Sequence, residues 1–105
     1  MTRIVEKILS ISPSNRKEKK YMATIKNNST GKTRILQFGA SAYEQYKDST
    51  GVGKYTKKNH GDRKRRRNYF MRHSGVPTKA LAIEKEKRLS HGNYTPKLLS
   101  HIYLW

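Results

Sequence analysis

The chain has no cysteine. That excludes disulfides, thiolate metal sites and the zinc modules built on them. Acid is scarce as well: seven Asp and Glu face 24 Lys and Arg, for a formal net charge of +17 over 105 residues. With so few carboxylates, neither a nucleophile–base pair nor a general-acid pair can be picked out, so no enzyme is expected. Apolar residues are sparse too. Ile, Leu, Val and Phe together number 19 of 105, close to the level at which composition warns of disorder. Such a chain builds one small core and leans on a partner for order. No stretch approaches the roughly 18 apolar residues of a membrane span. Met1 to Ser12 lacks the continuous apolar run of a signal peptide. The expectation is a soluble protein or a component of an assembly, with no membrane span and no cofactor.

What is present is positive charge. It repels itself unless polyanions or acidic surfaces offset it, an arithmetic shared by ribosomal, chromatin and virion proteins. It is also uneven. Residues 1–48 carry ten basic and four acidic side chains, while residues 49–105 carry fourteen and three. The densest stretch runs from His60 to His73, where six of fourteen residues are Lys or Arg and five of those, Arg63 to Arg67, are consecutive.

The pattern predicts an α+β fold: a small N-terminal antiparallel β-hairpin or sheet, then about three short helices. Residues 3–11 read as a strand, Ser12 to Asn15 as a turn and Arg16 to Lys20 as a charged connector. Tyr21 to Lys26 is a strand with Tyr21, Ala23 and Ile25 on one face. Asn27 to Lys32 is a turn that returns the chain as Thr33 to Phe38. Ala40 to Lys47 fits one or two helical turns, with Tyr43 and Tyr46 on a shared face. Asp62 caps a helix that ends before Gly75, and Thr78 caps a second with Leu81, Ala82 and Leu89 as its stripe. Thr95-Pro96 opens a third. In it Leu98, Ile102 and Trp105 recur with Leu99 and Tyr103 beside them, and the segment ends exposed. The organisation is a sheet region 1–48, a basic loop 49–61 and a helical region 62–105 within one small domain.

The candidate binding residues are Lys57, Lys58, Arg63, Lys64, Arg65, Arg66, Arg67 and Arg72. Guanidinium groups pair with carboxylate and phosphate oxygens and stay charged at any relevant pH. A run of five covers most of a helix circumference, which suits a helix lying among anions better than one reading a single groove. The candidate packing residues are Tyr69, Phe70, Leu98, Leu99, Ile102, Tyr103 and Trp105. The tyrosines interleaved with the cations are read as packing residues with wet hydroxyls rather than as base-stacking platforms. Gly51-Val52-Gly53-Lys54 lacks the spacing of a phosphate-cradling loop and is read as a flexible turn. The four histidines form no metal-ligand spacing.

Two blocks resemble a family of small basic proteins of nucleocytoplasmic large DNA viruses. That family has a stretch close to H-x-D-x-x-R-[KR]-x-x-Y-x-x-R-H, supplied here by His60, Asp62, Arg65, Arg66, Tyr69, Arg72 and His73. It closes with a segment like T-[AP]-x-x-x-S-x-x-L-L-W, matched by Thr95, Pro96, Ser100, Leu104 and Trp105, with Tyr103 in place of the first Leu. Arg63 stands where a Pro is usual, and the link from Val76 to Tyr94 is longer. The resemblance implies a viral protein and no catalytic residues.

The expected function is a small basic structural protein of a large DNA virus particle. It would be a minor capsid protein that cements larger coat proteins through a cationic belt and an apolar C-terminal anchor. Its partners would be major capsid or scaffold proteins, with DNA as the partner in the alternative reading. Its place would be the virion, with the host cytoplasm or virus factory during assembly. The first alternative is a genome-packaging protein whose arginines neutralise phosphates, and the second is a ribosomal-type RNA-binding protein.

Overall fold

The computed structural model describes residues 3–105. Strands β1 (Glu6–Pro13), β2 (Lys19–Asn27) and β3 (Thr33–Ala40) come first, then a 3-10 turn at Thr56–Lys58. Helices α1 (Arg63–Ser74), α2 (Lys79–Leu89) and α3 (Pro96–Tyr103) follow. The fold is α+β, with an antiparallel sheet in the order β1-β2-β3. Met1 and Thr2 lie outside the described residues.

Alternation along β2 makes the core. Tyr21, Ala23 and Ile25 are fully buried and sit opposite Phe38, Leu36 and Arg34 of β3. On β1, Ile8 pairs with Ile25 and Ile11 with Ala23, across a register shift between Ile8 and Ser10. The extra residue keeps both isoleucines on the buried face, which strict alternation would not do. That face is covered by Leu99 and Leu104, with Val52, Tyr55, Tyr94, Tyr103 and Trp105 packed around them. Each fully buried leucine is worth about 1.5–3 kcal/mol, so α3 and the residues after it close the core. The opposite face of the sheet stays open, with Ile35 exposed.

The helix ends follow their caps. The Asp62 carboxylate accepts from the Lys64 and Arg65 N–H groups at 2.9 and 3.2 Å, satisfying donors the first turn leaves free. Gly75 ends α1 in the left-handed region at φ 69°, where glycine carries no Cβ penalty. Thr78 and Thr95 cap α2 and α3 in the same way, and Pro96 takes the first position of α3.

Four expectations are corrected. Ala40 to Lys47 is not helical. Ala40 ends β3 and the chain then turns; the Gln45 N–H donates to the Lys58 carbonyl at 3.1 Å and the His60 N–H to the Gln45 carbonyl at 2.9 Å, so Gln45 makes a lone bridge to the segment before α1. β1 runs on through Ser12 and Pro13, and β2 already includes Lys19 and Lys20; the turn is therefore Ser14 to Glu18. In α2 the buried residues are Ala82 and Glu86, while Leu81 and Leu89 are exposed. The small Ala82 sets the packed face, Leu81 lies one residue round from it, and Leu89 falls in the last turn. The chain's last segment does not end exposed, since Leu104 is buried in the core and Trp105 is partly covered.

Candidate polyanion and acidic-partner interface

The two resembling blocks meet in space. Tyr69 of α1 stacks flat on Trp105, ring centroids 4.1 Å apart and planes within 4°. His60 approaches Trp105 at 5.2 Å, and its Nδ1 accepts the Asp62 N–H at 2.9 Å. Burial first, then the nearby Arg65 charge, hold His60 below the ordinary imidazole range. Arg66 lies over the Tyr46 ring, 4.6 Å from its centroid, a cation–π contact. Blocks far apart in the chain thus form one aromatic seam that fixes α1 against the loop and the chain end.

Behind this seam is a buried polar relay. The Tyr69 hydroxyl is 2.9 Å from His101 Nδ1, and Ser74 Oγ is 2.7 Å from His101 Nε2 and 2.9 Å from Glu86 Oε2. A carboxylate only accepts, so Ser74 donates to Glu86 and must accept from His101 Nε2–H. His101 Nδ1 is then left to accept from Tyr69. Every polar atom in this chain of bonds is satisfied with a neutral imidazole. The proton on Ser74 points away from His101, the reverse of a nucleophile activated by a base. The relay ties α1, α2 and α3 together. Burial, and then the charges of His73, Lys97 and Lys79, push His101 down to about 4. Burial drives the Tyr69 hydroxyl upward.

In front of the seam lies a cleft of about 740 Å³. β2 and β3 contribute Lys19, Lys20 and Phe38, α1 contributes Arg65, Asn68, Tyr69 and Arg72, and α3 contributes Lys97. Glu44 at its edge pairs with Arg65 at 3.1 Å. Lys97 donates to the His73 carbonyl at 3.1 Å and stands 3.9 Å from Glu86. Lys20 is buried beneath Gly39, its ammonium held by Gln45 Oε1 at 2.5 Å. Burial first, and then the charge of Lys58, lower its amine to about 8. Burial first, and then the charges of Lys97 and Arg72, lower His73 as well.

The predicted binding residues divide accordingly. Arg65 and Arg72 line the cleft together with Tyr69 and Trp105. Arg63, Lys64 and Arg67 are exposed on the rest of α1, and Arg66 is engaged with Tyr46. Lys57 and Lys58 sit on the 3-10 turn apart from the cleft. Of the packing residues, Phe70, Leu98 and Leu99 are buried, while Ile102, Tyr103 and Trp105 are partly covered. The anchor is therefore spent largely inside the chain's own core. Lys19, Lys20, Lys97 and the His101 relay carried no local signal. Their partners lie far off in sequence, and only the fold collects them. Among the described residues no group of His, Asp and Glu is placed to hold a metal ion, and no helix is long and apolar enough to cross a membrane.

Residues 9–73 match the model of a family of unknown function, DUF5754. The chain belongs to this family. The matched region takes in the sheet from Leu9 of β1 onward, the loop and the first resembling block, and stops at His73, short of α2 and α3. No curated protein and no solved structure matches the chain.

Proposed function

We propose that this member of the family is a small basic structural protein of a large DNA virus particle. In this reading it is a minor capsid component that holds coat or scaffold proteins together by their acidic surfaces. The supporting observation is the surface of α1, where Arg63, Lys64, Arg65, Arg67 and Arg72 are all exposed in a chain with seven acidic residues to balance 24 basic ones. The viral origin rests on the two resembling blocks. Exposed Leu81 and Leu89 on α2 add apolar contact area of the kind a protein partner covers. The mode of action is adhesion. A second reading, genome packaging, is favoured by the spread of cations around α1, which can neutralise phosphates on several sides.

Opening purified particles and separating shell from DNA tests the two. Retention with the emptied shell supports the coat reading. Release with the DNA overturns it in favour of packaging.

A further inference from the structure

We propose that the cleft between α1, α3 and the β2–β3 edge is the docking seat for an acidic polypeptide segment, Asp- and Glu-rich, of a neighbouring coat protein; this rests on the adhesive reading above. Three observations carry it. First, the walls are cationic from three separate elements: Lys19 on β2, Arg65 and Arg72 on α1, and Lys97 on α3. Lys19 and Arg72 make no side-chain hydrogen bond or ion pair among the described residues. Cations converging on a concavity concentrate field far more than the same number spread on a convex helix.

Second, the cleft already shows its chemistry. The one acid at its edge, Glu44, has its carboxylate on Arg65 while both side chains remain about half exposed. A partner carboxylate would extend the same pairing inward to Arg72 and Lys97. Third, the largest rings at the cleft, Tyr69 and Trp105, are taken, and of its aromatic residues the exposed Tyr43 is left to offer an open face. Trp105 is stacked on Tyr69 and faces His60, and Tyr69 also meets His73 at 4.6 Å. Unpaired bases bind by stacking on free rings; here a strand would find Tyr43 but not the Tyr69–Trp105 pair, whereas a carboxylate would find Lys19 and Arg72 unengaged among the described residues. A duplex, which is met by elements that enter its grooves, would leave a concave cleft unfilled. The volume of about 740 Å³ lies within the range of about 300–1,000 Å³ that small ligand sites span, enough for a short extended segment.

The test titrates the full chain with a short poly-glutamate peptide, and separately with a single-stranded oligonucleotide of equal charge, at constant ionic strength. Two variants change charge equally: Lys19→Glu with Arg72→Glu in the cleft, and Arg63→Glu with Arg67→Glu on the outer face of α1. The cleft variant should lose peptide affinity by about tenfold or more, about 1.4 kcal/mol, and the outer variant by clearly less. On the unmutated chain, amide resonances of Lys19, Asn68, Arg72 and Lys97 should shift with peptide ahead of those of Arg63 and Arg67. This second readout stands if either variant fails to fold. Equal losses in both variants, with no preferential shift, overturn the cleft seat and leave adhesion by diffuse charge. Oligonucleotide in the cleft without peptide overturns the occupant. No binding of peptide to the unmutated chain overturns both the seat and the acidic-surface reading.

Discussion

Single residues fix where the loop between α2 and α3 sits against the segment leading into β1. Gly92 is the sharpest case. Its φ is +82°, and a Cβ there would stand 2.2 Å from the Arg3 carbonyl oxygen, which is backbone and cannot swing away. Gly51 has nearly the same φ, +81°, and a Cβ there would meet nothing within 4 Å. The two therefore separate backbone conformation from close approach. Gly51→Ala should cost about 1–2 kcal/mol from the left-handed conformation alone. Gly92→Ala should cost more, because the segment carrying Val5, whose N–H donates to the Gly92 carbonyl at 2.9 Å, must move as well. Urea unfolding of both variants measures the difference, and equal midpoints would show that the contact at Gly92 relaxes freely. At this scale the caps were the legible part: Asp62, Thr78, Thr95 and Gly75 announce themselves by residue type and spacing. Gly92 carries no such mark of its role, since its crowding comes from the segment leading into β1, far from it in sequence.

Helices α1, α2 and α3 are joined by the Tyr69–His101–Ser74–Glu86 relay, and this makes their packing sensitive to acid. His101 is fully buried and held down to about 4 from 6.5. A depressed imidazole binds its proton in the unfolded chain before the folded one. Its stabilising contribution is complete above about pH 6.5 and is lost as pH falls toward about 4. The full loss is about 3 kcal/mol. Unfolding followed across this window should show stability dropping with acid, and His101→Phe should flatten the slope while lowering stability at neutral pH, because Tyr69 and Ser74 lose a partner. An unchanged slope in that variant would place the acid sensitivity elsewhere. The helices themselves were legible although α1 is barely amphipathic, because capping residues mark its ends. The relay was not, since a histidine amid apolar residues of α3 gives no hint that Ser74 and Glu86 will meet it. The stretch around Tyr43 and Tyr46 misled because spacing of three suggests a helix, while Gln45 satisfies its backbone against Lys58 and His60 instead.

The molecule as a whole balances a small core against one-signed charge. Leu104 is 1% exposed, touches the position of Gly39 and belongs to the core cluster. Removing residues 102–105 therefore takes away both a core leucine, worth about 2–5 kcal/mol on truncation, and the Trp105 stack on Tyr69. Domains of this size hold only about 5–15 kcal/mol in total, so the truncated chain should lose cooperative unfolding by circular dichroism. Opposing the core are +17 charges, a repulsion that salt screens with a length of about 10 Å at 0.1 M. Raising ionic strength from about 0.01 to 0.15 M should therefore raise the melting temperature of the intact chain by several degrees. About 1 kcal/mol corresponds to roughly 4–8 °C in a domain of up to about 100 residues. Poly-glutamate at equal ionic strength should raise it further, because a bound polyanion stabilises the folded state by mass action as well as by screening. If salt and poly-glutamate act alike at matched ionic strength, the charge is only being screened and the surface holds no partner of this kind. A larger effect of the peptide would mean that the folded arrangement of cations, and not the net charge alone, is what the partner recognises.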